Sequence, residues 1–190
     1  MDFMKKYEYW LNSDSIDEKD KEELRGLKDN PKEIEDRFFK DLSFGTGGIR
    51  GVRGIGTNRI NKYVIRKATQ GLANYMLTFN EKEAKEQGII IAHDCRIGSR
   101  EYALNTARVM AANGIKAYIY EDLRSTPELS FGVRYKGTMA GIVVTASHNP
   151  VEYNGYKVYW NDGAQVVDPH ATLIVDEVNK ISTLEEIKVI

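Results

Sequence analysis

Ala140-Gly141-Ile142-Val143-Val144 runs straight into Thr145-Ala146-Ser147-His148-Asn149-Pro150, and this join decides the fold. Five apolar residues closed by a rigid Asn-Pro turn read as a buried strand. The turn sets a hydroxyl and an imidazole at its carboxyl end, the edge where open α/β sheets bind ligands. Working outward, Gly88-Ile89-Ile90-Ile91-Ala92 and Ile115-Lys116-Ala117-Tyr118-Ile119-Tyr120 are two further strand-like runs. A helix with Ser99 as cap and Gly114 as terminator follows the first; one with Thr126 as cap and Pro127 at its first position follows the second. This alternation predicts β-α-β units, parallel pairing and right-handed crossovers. Gly155-Tyr156-Lys157-Val158-Tyr159-Trp160 returns too soon for a helical crossover and is expected to pair antiparallel. A last helix is expected from Pro169 to about Ile181. The fold class is α/β: a three-layer α/β/α unit with a mixed, mainly parallel sheet, preceded by short N-terminal helices.

Residues 1–42 read as that helical extension and residues 43–190 as the α/β/α unit. Asn30-Pro31-Lys32-Glu33 starts a helix, with Asn30 as cap and Pro31 in the first position. Ile34, Phe38 and Leu42 then recur at helical spacing. A glycine-rich loop spans Phe44-Gly45-Thr46-Gly47-Gly48-Ile49-Arg50-Gly51-Val52-Arg53-Gly54-Ile55-Gly56. Asn61 caps a helix to about Asn80 whose apolar face is Ile65, Ala68, Leu72, Met76 and Phe79.

The 190 residues carry a net charge of −1 with basic residues dispersed, which speaks against nucleic acid as a partner. The single cysteine, Cys95, allows no internal disulfide and suits a reducing compartment. No apolar run approaches the roughly 20 residues of a membrane span, and the amino terminus lacks a signal-peptide core. The expectation is a soluble cytoplasmic protein without a membrane or nucleic-acid partner.

Ser147 is the candidate nucleophile. Neighbouring side chains on an extended loop diverge, so His148 is expected to be poorly placed as its direct base, and the nucleophile-elbow pattern Gly-x-Ser-x-Gly is absent. The bland alternative is a serine that serves only the turn. The glycine loop holds six of the 16 glycines, interleaved with Arg50 and Arg53. Glycines admit an anion close to backbone N–H groups and guanidinium grips phosphate with two prongs; a plain connector is the alternative. Asp94-Cys95-Arg96-Ile97-Gly98-Ser99-Arg100, Ser125-Thr126-Pro127-Glu128 and the Ser147 turn leave the same sheet edge, which favours a site. Lys157, if its strand lies beside that of Ser147, reaches the same pocket, where a partly desolvated lysine serves as general base or acid. Three functions stay open on these residues alone: phosphoryl transfer, a serine hydrolase, and a non-catalytic phospho-ligand binding module. His93 and His170 lack ligand-like spacing; Trp10 and Trp160 read as packing residues.

Assembled, these stretches resemble the α-D-phosphohexomutase family (phosphoglucomutases and phosphomannomutases). Phe44 to Gly51 looks like the family's first signature, Asp94-x-Arg96-x-x-Ser99 and Thr126-Pro127 like its next two loops. Thr145 to Pro150, with Tyr153-Asn154-Gly155-Tyr156-Lys157, looks like its phosphoserine loop, and all four occur in family order. The resemblance covers roughly residues 40–180; the added N-terminal helices are similar to the subgroup of phosphoglucomutases and phosphopentomutases. It implies that Ser147 is the phosphoserine, Lys157 the general base, His148 an assisting residue and Arg50 a neighbour of the phosphoryl group. Thr46, Gly47, Arg53, Asp94, Arg96 and Asn149 are then the substrate- and phosphate-binding candidates. It also implies a hexose phosphate substrate, a glucose 1,6-bisphosphate-type activator, and Mg²⁺ held by the phosphate on Ser147 together with aspartates of a second domain. The family's Asp-Gly-Asp-x-Asp-Arg loop has no counterpart here. The expectation is therefore domain I alone, partnered by domains II–IV of the same polypeptide and inactive by itself, with phosphopentomutase as an alternative activity.

Overall fold

The computed structural model describes residues 2–45 and 47–190. Three helices, α1 (Phe3–Asn12), α2 (Glu18–Arg25) and α3 (Pro31–Phe38), lead into strand β1 (Gly48–Val52) and the long helix α4 (Lys62–Gln87). Then come β2 (Ile89–His93), α5 (Ser99–Ala112), β3 (Ala117–Ile119), α6 (Thr126–Lys136), β4 (Ala140–Val144), β5 (Tyr153–Trp160) and α7 (His170–Lys180). The five strands form one sheet in the order β1-β5-β4-β2-β3.

Alternation along the strands makes three layers. Ile89 and Ile91 of β2, Ile142 and Val144 of β4 and Tyr156 and Val158 of β5 pack in one cluster with Leu72 and Met76 of α4, Met110 of α5 and Ile174 of α7. Ile90 and Ala92, Val143 and Tyr159 point the other way, against Leu129 and Val133 of α6. Strands covered on both faces read as unbroken apolar runs, so β2 and β4 were visible in the sequence. The mixed character of the sheet holds, with β2-β3 and β2-β4 parallel and β1-β5 and β4-β5 antiparallel. Of the five strands, β1, β2, β3 and β4 run in one direction and β5 runs against them, so the sheet is mixed and mainly parallel in strand direction.

The difference is β1, which lies inside the stretch expected to be all loop. It pairs with β5 so closely that a Cβ on Gly48 would stand 2.2 Å from the Tyr156 carbonyl oxygen. Glycine is what permits the pairing here. Helix α7 meets α4 through the same device, since a Cβ on Gly71 would stand 2.3 Å from Val178 Cγ2.

Several boundaries shift. The third strand covers only three of the six expected residues. Ser125, not Thr126, caps α6 in a capping box with Glu128. Gly98, not Ser99, holds the N-cap of α5, because the Ser99 hydroxyl is turned onto Asp94. The helix from Asn61 breaks at Asn80 as expected, but about two further turns continue to Gln87. Phe79, placed on the buried face by its spacing, is 53% exposed beside that break. Leu42 lies beyond the end of α3.

The N-terminal helices build a second core of Tyr7, Trp10, Leu24, Ile34 and Phe38. Trp10 meets Tyr63 of α4 edge-on at 5.4 Å, and the Tyr63 hydroxyl donates to Asp20 at 2.6 Å. Trp10 and Trp160 are packing residues, 4% and 6% exposed. Among the described residues no helix is long and apolar enough to cross a membrane.

Candidate functional site

At the carboxyl end of β4 the chain leaves the sheet through Thr145, whose N–H donates to the Gly155 carbonyl at 3.0 Å. The Thr145 hydroxyl accepts the Ser147 N–H at 2.9 Å, and the Asn149 N–H donates to the Ala146 carbonyl at 3.1 Å. These bonds curl the turn so tightly that Ser147 takes φ +58°, the one described non-glycine residue with positive φ. Ala146 is buried beneath the turn, while Ser147 and His148 are exposed.

That left-handed conformation overturns the expectation that the two side chains diverge. Ser147 Oγ and His148 Nδ1 lie 3.4 Å apart. Among the described residues no carboxylate bonds to His148, so the pair lacks the third group that orients a hydrolytic triad.

The loop after β2 supports the turn from below. Arg96, expected to bind phosphate, instead directs its guanidinium into the turn. Nη2 donates to the carbonyls of Ser147 at 2.8 Å and Asn149 at 2.7 Å; Nη1 donates to those of Pro150 at 2.8 Å and Tyr153 at 3.1 Å. Its Nε faces Asp94 Oδ2 at 3.3 Å. Asp94 Oδ1 accepts from the Arg96 N–H at 3.0 Å and the Ser99 hydroxyl at 2.6 Å. Ser99 Oγ in turn accepts from Asn154 Nδ2 at 2.9 Å. Ser99 and Asn154 are both fully buried, so Asp94, like Arg96, braces the turn.

The glycine-rich segment closes the other side. Arg50 of β1 donates to Asn149 Oδ1 at 2.9 Å. Lys157 of β5 pairs with Val143 of β4 on one side and Gly48 of β1 on the other. Desolvation lowers its pKa below the ordinary lysine value, and the charge of Arg50 pushes it the same way. Arg53 bonds through its N–H to the Glu152 carbonyl at 2.8 Å, and its Nε is buried without a partner. Gly47 uses its carbonyl to accept from the Val158 N–H at 2.9 Å. Thr46 lies outside the described residues.

The structure thus brings Ser147, His148, Asn149, Arg50, Asp94 and Arg96 together and places Lys157 on the adjoining strand. The loop after β3 reaches the loop after β2, where the Arg124 N–H donates to the His93 carbonyl at 3.2 Å and Arg100 Nη1 to the Glu121 carbonyl at 2.9 Å, while Ser125 bonds to Glu128 of its own helix. Asn154 is the supporting residue to which sequence reasoning assigned no role. Its one signal was a carboxamide inside a strand whose other residues, Lys157 apart, are aromatic or apolar. Among the described residues no three His, Cys, Asp or Glu side chains gather into a metal site.

Residues 41–185 match the profile of the family described as phosphoglucomutase/phosphomannomutase, alpha/beta/alpha domain I. The chain is 41% identical over 155 residues to a phosphoglucomutase of Staphylococcus haemolyticus, covering 82% of this chain and 28% of that protein. A phosphoglucomutase of Staphylococcus aureus (strain bovine RF122 / ET3-1) is 46% identical over 134 residues, 70% of this chain and 24% of its own. Among solved structures, a putative phosphomannomutase of Thermus thermophilus superposes with a TM-score of 0.66 at 25% identity, over 76% of this chain and 31% of that one. The chain therefore spans about a quarter of the length of the curated relatives it matches.

Proposed function

The chain belongs to the phosphoglucomutase/phosphomannomutase family, as its domain I, and from that premise we propose that Ser147 carries the phosphoryl group exchanged between the 1- and 6-positions of a hexose phosphate. The observation that supports this reading is the posture of Ser147. An exposed hydroxyl is held in a left-handed turn at the sheet edge, with Arg50 bonded to the same turn and a desolvated Lys157 one strand away.

In the forward half-reaction a sugar hydroxyl attacks the phosphorus of phosphorylated Ser147. The new O–P bond forms as the bond to Ser147 Oγ breaks, and the hydroxyl proton passes to the neutral amine of Lys157. Desolvation raises the share of that amine at neutral pH, which suits a general base. The second half-reaction reverses these moves at the other phosphate of a sugar bisphosphate, returning the phosphoryl group to Ser147. Arg50 and Arg53 supply positive charge for the transferring oxygens, on which phosphoryl transfer depends. His148, 3.4 Å from Ser147 Oγ, holds or gives a proton at that oxygen. Asp94 and Arg96 fix the turn.

The family implies Mg²⁺. A phosphate on Ser147 offers it one oxygen, but the described residues supply no cluster to complete its shell, so no step here runs through the ion. In this reading residues 1–42 are an extension, further domains of the polypeptide supply the rest of the site, and the chain alone turns over glucose 1-phosphate negligibly. Glucose phosphate is the favoured substrate, given the phosphoglucomutase relatives, and the cytoplasm the favoured compartment, given an unpaired Cys95.

Incubation with glucose 1,6-bisphosphate and Mg²⁺, followed by mass mapping, tests the reading. One phosphoryl group on Ser147, absent in Ser147→Ala, is expected. Phosphorylation elsewhere, or none while the S. haemolyticus relative is phosphorylated in parallel, overturns it.

A further inference from the structure

Asn149 is held between two guanidinium groups. Its backbone carbonyl accepts from Arg96 Nη2 at 2.7 Å, and its side-chain Oδ1 accepts from Arg50 Nη1 at 2.9 Å. The two arginines differ in what is left of their charge. Arg96 faces Asp94 at 3.3 Å and donates to four carbonyls of the turn and the start of β5. Arg50 has no carboxylate partner among the described residues, and its side chain bonds to a neutral amide instead.

The strands bring this pairing about. Arg50 stands opposite Gly155 of β5. A Cβ on Gly155 would lie 2.5 Å from the Thr145 carbonyl oxygen and 3.0 Å from that of Ile49. Glycine there lets β1 and the exit of β4 close on β5 together, which sets Arg50 within reach of a residue 99 positions later. The Asn149 N–H, bonded to the Ala146 carbonyl at 3.1 Å, closes the turn around Ser147.

A carboxamide fixes a guanidinium without cancelling its charge; an aspartate at 149 would fix it and neutralise it. A phosphate offers the guanidinium paired oxygens and opposite charge, which one amide oxygen does not. An arginine resting on an amide is therefore free to move to a phosphate. We propose that Asn149 is a positioning residue, which holds Arg50 beside Ser147 while the hydroxyl is free and releases it to the phosphate once Ser147 is phosphorylated. The proposal rests on the reading of Ser147 as the phosphoryl carrier.

The test encodes phosphoserine at position 147 of the 190-residue chain and follows its second pKa, about 6 when unperturbed, by phosphorus NMR. Arg50→Met should raise that pKa by about 0.5 or more. Asn149→Ala should give about half of the same rise. Arg50→Met added to Asn149→Ala should then have clearly less effect than alone, the mark of two residues acting through one another. The Asn149 carboxamide signal should also move between the unphosphorylated and phosphorylated chains. Asn149→Ala keeps the backbone bonds of residue 149, so the turn persists, as unchanged amide signals of residues 151–157 would verify. Fully additive effects overturn the proposal and make Asn149 a phosphate contact in its own right. A wild-type pKa in Asn149→Ala, or an unmoved carboxamide signal, overturns it too. The phosphate is encoded rather than transferred, so the two readings fail separately. Labelling by glucose 1,6-bisphosphate without this coupling sinks the proposal, and coupling without labelling sinks the mutase reading instead.

Discussion

The carbonyl oxygen of Ser147 rests 2.8 Å from the guanidinium of Arg96, a residue 51 positions earlier in the chain. Three more carbonyls, from Asn149, Pro150 and Tyr153, converge on the same guanidinium. A planar fork with five donors meets such a set; a compact ammonium cannot. Arg96 therefore ties the end of β2 to the turn that exposes the candidate nucleophile.

Removing that tie should loosen the turn before it unfolds the domain. Hydrogen bonds to a charged group contribute about 1.5–3 kcal/mol each and are not additive. Arg96→Met is expected to cost about 3 kcal/mol by chemical denaturation. Its clearest mark should be lost hydrogen-exchange protection at residues 147–153. Arg96→Lys should recover only part of that protection. Full recovery with lysine would mean that charge alone, not the fork, holds the turn.

Ser147 itself is held against its preference. A left-handed backbone costs a residue with a Cβ about 1–2 kcal/mol, and glycine escapes that cost. Ser147→Gly should therefore raise stability by about 1 kcal/mol while removing the hydroxyl, whereas Ser147→Ala should not. Thermal unfolding of the three proteins checks this. Equal stability of the glycine and alanine variants would refute strain at this position.

The fold was more legible than the site, for reasons tied to individual residues. Ile89 to Ala92 and Ala140 to Val144 announced themselves because burial on both faces leaves no polar residue in a strand. β1 was hidden because Gly48 and Gly51 read as loop; the reason for Gly48 lies in β5, about a hundred residues later, and that for Gly51 in the Leu42 side chain packed against it. Ser147, Arg50 and Lys157 were legible from residue type and position. The meeting of Ser147 with His148 was not, because it depends on one backbone dihedral that several turn bonds impose. Arg96 showed its charge but not its direction. Whether a guanidinium faces a ligand or its own carbonyls is set by long-range packing, and motif spacing is silent on that.

Arg50 should leave its mark on the titration of Lys157. Burial lowers the Lys157 pKa, and Arg50 adds to the shift. A depressed lysine binds fewer protons folded than unfolded, so stability should rise with pH between the folded pKa and the ordinary 10.5. Replacing Arg50 with methionine removes one of the two causes. The Lys157 pKa, followed by NMR at its side-chain nitrogen, should then move up toward 10.5 without reaching it. No movement would place Arg50 too far away to influence the base.

Glu185 gives stability the same rise with pH, but in the acid range. Its carboxylate accepts from the Tyr9 hydroxyl at 2.6 Å and the Ser13 hydroxyl at 2.7 Å, joining the segment after α7 to α1. Those bonds, Tyr9 first, lower its pKa from 4.5 to about 2. A carboxyl depressed in the folded state contributes stability that is complete above its unfolded value and lost as pH falls through its folded one. The side chain is largely exposed, so solvent screens the effect and only its course with pH is predicted. Wild type should be more stable than Glu185→Gln above pH 4.5, and the two should converge as pH falls toward about 2. Denaturation midpoints across that range check it. Parallel curves would mean that the Tyr9 and Ser13 bonds do not favour the charged carboxylate, and that other contacts hold the C-terminal segment to α1.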